Sequence, residues 1–107
     1  MSERNEKVAN NIKELSAQFL GKENNRTSLI TVTATTTSPD LKRATIFITV
    51  LPTDKENPAL NFVKRQLGDL RKFLKEKMPI KIIPFLNVEI DKGEKNRQKI
   101  EALLRAK

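Results

Sequence analysis

The side chains best placed to do chemistry are cations grouped around one glycine in the second half of the chain. Apolar residues repeat three and four positions apart from Leu60 to Leu74, which is the spacing of one helix face. At about 100° per residue this apolar face covers roughly 280° to 360°, and Gly68 lies near 80°. Five cations lie between about 20° and 140° on the same projection: Lys64, Arg65, Arg71, Lys72 and Lys75. Cations in this arrangement neutralise phosphates, and the glycine lets a phosphate backbone approach the helix.

The same residues also fit a simpler interpretation, in which they form a solvated helix face that tolerates one glycine. Lys42 and Arg43, beside a turn, either contact phosphate or only protect a strand edge from pairing. Phe47 could stack on a base, although a single aromatic without a second one more often serves packing.

The composition removes several kinds of catalytic site. The 107 residues include no Cys and no His, so the chain cannot build a disulfide, a thiolate nucleophile, a Cys/His zinc site or a Ser-His-Asp triad. Its aspartates show no metal-loop spacing. We therefore predict no enzyme activity, no metal site and no cofactor.

The net charge of +8 belongs almost entirely to one half of the chain. Residues 1–57 hold 8 basic and 7 acidic side chains, whereas residues 58–107 hold 13 basic and 6 acidic ones. This local excess of positive charge favours a polyanionic partner.

The chain shows neither a targeting segment nor a membrane span. Charges recur every few residues in the first 21 positions, and the apolar run from Ile82 to Leu86 is far too short to cross a bilayer. We expect one domain over residues 1–107 in a cytoplasmic protein that has no membrane contact and is monomeric when free.

Hydrophobic periodicity predicts a helix and a hairpin in the first half. Val8, Ile12, Leu15 and Phe19 form one face of a helix over Glu3–Leu20, which Gly21 is placed to end. Alternation predicts two antiparallel strands around a turn at Ser38–Leu41. The inward residues are then Ile30, Val32 and Ala34 on the first strand, and Ala44, Ile46, Ile48 and Val50 on the second.

The second half continues as helix, strand and helix. Asn57 as N-cap and Pro58 at the first helical position begin a helix that runs to about Lys77. A third strand is expected within Ile80–Ile90, with Pro84 implying an edge, a bulge or a start after it. Residues 94–107 are predicted to form a short basic helix. The order α-β-β-α-β-α predicts an α+β fold, with a small sheet covered by helices.

Several of these segments together resemble the ribosome-binding factor A family of bacterial small-subunit maturation factors, over nearly the whole chain. The most specific are the hairpin from Val32 to Leu51, with Ser38-Pro39-Asp40-Leu41-Lys42-Arg43-Ala44 at its turn, and Gly68-Asp69-Leu70-Arg71. Ile82 to Leu86 before Asp91, and Ile100 to Leu104, resemble later parts of the family pattern.

The resemblance implies a type II KH-like domain with a small mixed three-stranded sheet, in which a helix–kink–helix replaces the usual Gly-x-x-Gly loop. The family's kink usually reads Ala-x-Gly, and here it reads Gln66-Leu67-Gly68. The implied function is non-enzymatic binding to the immature small (30S) ribosomal subunit through 16S rRNA. It would assist late maturation and rRNA processing, with a link to cold adaptation.

The candidate nucleic-acid-binding residues are Lys64, Arg65, Gly68, Arg71, Lys72, Lys75, Lys42 and Arg43. Two alternatives stay open. One is a generic KH-like protein that binds single-stranded nucleic acid, and the other is a protein-interaction module with no RNA role, whose charge serves only solubility.

Overall fold

The computed structural model describes residues 3–22, 28–80 and 82–93. Helix α1 (Glu3–Lys22) precedes strands β1 (Leu29–Thr37) and β2 (Arg43–Leu51), helix α2 (Glu56–Lys77) and strand β3 (Phe85–Ile90). The predicted order of elements is therefore confirmed as far as Ile90. The helix predicted for residues 94–107 lies outside the described residues.

The sheet is mixed, with β2 in the centre and the order β1-β2-β3. β1 pairs with β2 antiparallel, as the predicted hairpin requires, and β3 pairs with β2 parallel. β3 begins directly after Pro84, where a missing N–H no longer affects the ladder. The predicted inward residues of β2 are all buried: Ala44, Ile46, Ile48 and Val50.

A bulge in β1 corrects the predicted alternation of that strand. Val32 pairs with Ile48 but Ala34 pairs with Phe47, so Thr33 is an extra residue in the ladder. Beyond the bulge Ala34 shares the outer face with Phe47, and Thr37 is buried opposite Ala44. The Thr33 hydroxyl donates to Asp91 Oδ2 at 2.5 Å, which links the bulge to the end of β3.

Helix α1 buries a wider stripe than its apolar spacing predicts, because Asn5, Ala9 and Ser16 are buried together with Val8 and Ile12. Asn5 donates from Nδ2 to the carbonyl oxygen of Pro39 at 3.1 Å, so the first turn of α1 holds the hairpin turn. Gly21 does not end the helix, which continues to Lys22.

Helix α2 begins earlier than predicted. The short 3-10 helix Thr53–Lys55 leads directly into it, so that Lys55 is the N-cap and Asn57 is not. Pro58 is the third residue of the first turn, where backbone N–H groups have no partner within the helix. From Glu56 the helix runs without a break through Gly68 to Lys77.

The inner face of α2 joins the two helices to the sheet in one core. Val63, Leu70 and Leu74 have no exposed surface, and Ala59 is almost fully buried. The rings of Phe19 and Phe73 lie 5.6 Å apart between their centroids, so α1 and α2 also pack on each other. No helix in the described part of the chain is long and apolar enough to cross a lipid bilayer.

Ile48 provides a direct test of this core, since it lies at the centre of β2 and has 0% exposure. Ile48→Ala should lower the free energy of unfolding by about 2–5 kcal/mol, because the cavity adds to the lost apolar burial. The measurement is chemical denaturation. Ile82→Ala is the matched control, because that side chain is 77% exposed and its loss should change stability by about 0.5 kcal/mol or less. Equal effects of the two substitutions would contradict the assigned inner face.

Candidate nucleic-acid interface

The outer face of α2 presents all five of its predicted cations to solvent, and Arg71 is one of them. Lys64, Arg65, Lys72 and Lys75 are all exposed, as helical geometry requires once the opposite stripe is buried. Gly68 lies among them and is exposed as well. A Cβ added at Gly68 would meet no atom within 4 Å, so no other part of the described structure covers the helix directly at this point.

Arg71 belongs to the same surface but also has a structural contact. Its Nη2 donates to the carbonyl oxygen of Ile83 at 3.1 Å, which attaches the segment before β3 to α2. The prediction treated Arg71 only as a phosphate ligand, because helix spacing does not show a contact twelve residues away. A guanidinium carries five N–H donors, so this bond leaves others for an anion.

Lys42 and Arg43 are exposed at the hairpin turn, which is held by hydrogen bonds of its own. Ser38 N–H donates to the carbonyl of Arg43 at 2.9 Å, and Leu41 has a φ of 60°. This left-handed conformation costs about 1 kcal/mol in a residue with a Cβ. The half-buried Leu41 side chain packs against the core, which offsets that cost.

The Asp40 carboxylate turns back into this turn. It accepts hydrogen bonds from Ser38 Oγ at 2.6 Å and from the Lys42 N–H at 3.1 Å. The hydrogen bond from Ser38 and then the one from Lys42 lower the pKa of Asp40, and the positive charge of Lys42 contributes further. Asp40 therefore stays ionised beside Lys42 and offsets part of its charge at neutral pH.

The two groups of predicted residues meet at the segment that leads into β3. Arg71 donates to the carbonyl of Ile83, and the Phe85 N–H donates to the carbonyl of Lys42 at 2.8 Å. Residues 83–85 thus connect Arg71 of α2 to the backbone of the hairpin turn.

Two further exposed side chains, Phe85 and Lys77, were not predicted as candidates. Phe85 is 71% exposed. The sequence signal for this was the alternation of β3, because Leu86 and Val88 point inward and Phe85 must therefore point outward. Lys77 is also exposed, with Nζ 5.9 Å from the centroid of the Phe73 ring. Phe47, which was considered for stacking, is half-buried beside Leu60 and Lys64.

The described residues offer no cluster of three or more His, Cys, Asp or Glu side chains that could hold a metal ion. What this surface can do with its charges is attract and neutralise an extended anion.

Solved structures define the class of this domain as KH-like. The crystal structure of ribosome-binding factor A from Thermus thermophilus superposes with a TM-score of 0.72 over 80% of this chain and 94% of that one, at 18% identity. A homology model of the Thermus thermophilus factor, fitted into a cryo-EM map of a 30S complex, gives a TM-score of 0.62 over 84% and 93%, at 19% identity.

The sequence comparisons show the family. The family model for ribosome-binding factor A matches residues 4–104. Ribosome-binding factor A of Coxiella burnetii (strain RSA 493 / Nine Mile phase I) is 31% identical over 106 residues, which are 97% of this chain and 89% of the relative. The chain belongs to the ribosome-binding factor A family.

The double role of Arg71 leads to a stability prediction. Arg71→Met keeps an unbranched apolar stem but removes the bond to Ile83, so the free energy of unfolding should fall by about 1 kcal/mol. Lys72→Met is the matched control, because Lys72 is exposed on the same helix and should change stability by about 0.5 kcal/mol or less. Thermal or urea unfolding measures both variants. Equal stability of the two would show that the hydrogen bond from Arg71 to Ile83 contributes nothing to the free energy of unfolding.

Proposed function

We propose that the protein is a ribosome-assembly factor that binds the immature small (30S) ribosomal subunit through 16S rRNA and assists late maturation and rRNA processing. It acts by binding rather than by catalysis, in the cytoplasm, and supports growth in the cold. Membership of the family supports this proposal. So does the Thermus thermophilus relative, which was fitted into the map of a complex with the 30S subunit.

The observation that carries the proposal is the exposed cationic face of α2 around Gly68. The neighbouring carboxylates Asp69 and Glu76 project near 160° to 180° at about 100° per residue, beyond the edge of the cations. The arc of α2 that holds Gly68 therefore carries cations and no carboxylate.

This geometry suits contact with a phosphate backbone. Lysine and arginine side chains neutralise successive phosphates and release counterions, so that affinity falls as salt rises. The missing Cβ at Gly68 lets the backbone of the ligand come closer than any other residue would. Because such contacts carry no sequence information, selectivity comes from the shape of the folded RNA and from neighbouring ribosomal surfaces.

Charge reversal on α2 tests the proposal. Lys72→Glu with Lys75→Glu should weaken co-sedimentation with immature small subunits at least tenfold, because two phosphate contacts become repulsive. The matched control is Lys7→Glu with Lys13→Glu. These residues are likewise exposed, on α1, and the change in net charge is identical.

Three outcomes of this comparison would contradict the proposal. The α2 variant could bind as the unaltered protein does while its circular dichroism spectrum is unchanged. The α1 variant could lose as much affinity, which would make the effect one of net charge alone. An unstructured single-stranded RNA could bind as tightly as the subunit, which would indicate a generic single-strand binder.

Gly68→Ala separates stability from binding. Alanine should stabilise the helix by about 1 kcal/mol, since its Cβ enters open space and the glycine is conformationally costly there. Affinity for the immature subunit should nevertheless fall, because the new methyl group blocks the closest approach to the backbone. Thermal unfolding and co-sedimentation measure the two effects. A stabilised variant with unaltered affinity would show that Gly68 is only tolerated.

A further inference from the structure

A shallow groove lies on the outer face of the sheet, where β2 and β3 begin. Its lining residues come from the end of the hairpin turn and from the starts of the two strands: Lys42, Arg43, Ala44, Thr45, Phe85 and Asn87. Arg43 pairs with Phe85, and Thr45 with Asn87. Because Ala44, Leu86 and Val88 point into the core, these paired side chains share the outer face.

Phe85 is the unusual member of this groove. An aromatic ring that is 71% exposed at the start of a strand contributes little to the core. The strand itself fixes its position, because the Phe85 N–H donates to the carbonyl of Lys42 at 2.8 Å. An exposed ring held by a rigid backbone forms a platform on which a flat, apolar ligand can stack.

The charges around Phe85 select a negatively charged ligand. The lining residues include two cations, Lys42 and Arg43, and no carboxylate. Asp40 lies in the turn beside Lys42 and offsets part of the Lys42 charge. Further along the outer face of β3 lies the exposed Glu89, whose negative charge ends the positive surface there.

We propose that this groove binds one nucleotide of a single-stranded RNA segment. The base stacks on Phe85, Arg43 and Lys42 neutralise the adjoining phosphate, and the Asn87 side-chain amide hydrogen-bonds an edge of the base. The inference rests on the proposed function and deepens it, since it gives the protein a base-contacting site beside the phosphate-contacting helix.

The groove adjoins the cations of α2 through the chain itself. Ile83, which accepts the hydrogen bond from Arg71, stands two residues before Phe85. In this proposal the RNA strand runs from Arg71 past residues 83–85 to the groove on the outer face of the sheet. A protein partner would use the exposed apolar surface of Ile82 and Phe85 together, and it would not require an aromatic ring at position 85.

The experiment compares three substitutions of one exposed residue. Hexaadenylate RNA is titrated into the isotope-labelled protein and followed by NMR, and binding to immature small subunits is measured by co-sedimentation. Phe85→Ala and Phe85→Leu should each weaken binding about fivefold or more in both assays, whereas Phe85→Tyr keeps the stacking ring and should retain affinity. In the unaltered protein the shifted signals should lie at residues 42–45 and 85–87.

Ile82→Ala is the control, because this side chain is similarly exposed and lies outside the groove. If Phe85→Leu binds normally and Ile82→Ala does not, the surface docks a protein and the proposal is wrong. An absence of shifts at residues 42–45 and 85–87, or loss of affinity in Phe85→Tyr, would also overturn it. The two proposals can fail separately. If Lys72→Glu with Lys75→Glu weakens binding to the subunit but no Phe85 substitution does, the proposed function stands and the proposed nucleotide site is wrong.

Discussion

The parallel pairing of β2 with β3 is the constraint on which the rest of the structure depends. Two parallel neighbours cannot be joined by a tight turn, because the chain must return to the end at which β2 began. The 22 residues of α2 make that return. A helix in this position has to bury one stripe on the sheet, and Val63, Leu70 and Leu74 are fully buried for this reason. The remaining arc, with Gly68 and its cations, is then directed to solvent.

The segment after α2 connects this helix to the hairpin turn. Arg71 binds the carbonyl of Ile83, and the Phe85 N–H binds that of Lys42. Asn5 of α1 holds the same turn through the carbonyl of Pro39. These contacts set the position of the hairpin turn relative to both helices, which is the kind of arrangement that the proposed recognition of a folded RNA by its shape would use. Arg71 both donates the hydrogen bond to Ile83 and adds positive charge to the surface of α2. Its replacement alone would therefore not separate an effect on stability from an effect on anion binding.

Much of this fold could be predicted from the sequence because one face of each strand and helix is buried. The alternation on each side of the Ser38–Leu41 turn predicted that two strands flank it, and Pro84 marked where β3 can begin. The bulge at Thr33 could not be predicted, since it depends on the partner strand and on a hydrogen bond to Asp91. The start of α2 was misplaced because a 3-10 helix leads into it and removes the need for Asn57 as N-cap.

Part of the candidate site could likewise be predicted from the sequence, and part could not. Helix periodicity was sufficient to place Lys64, Lys72 and Lys75 on one exposed face, because it depends only on local geometry. The hydrogen bond from Arg71 to Ile83 and the one from Phe85 to Lys42 are tertiary contacts, which local spacing in the sequence does not show. Phe85 lies between these cases, since the alternation of β3 directs it outward but only the pairing with β2 places it beside Arg43.

The most direct test of the central claim, that exposed cations hold the protein on RNA phosphates, is the salt dependence of its affinity for immature small subunits. We predict that the logarithm of the association constant falls linearly with the logarithm of the salt concentration. The slope should be about −3.5 to −4.5, as expected for about five phosphate contacts. A slope near zero would contradict this account, because it would mean that the subunit is bound without releasing counterions.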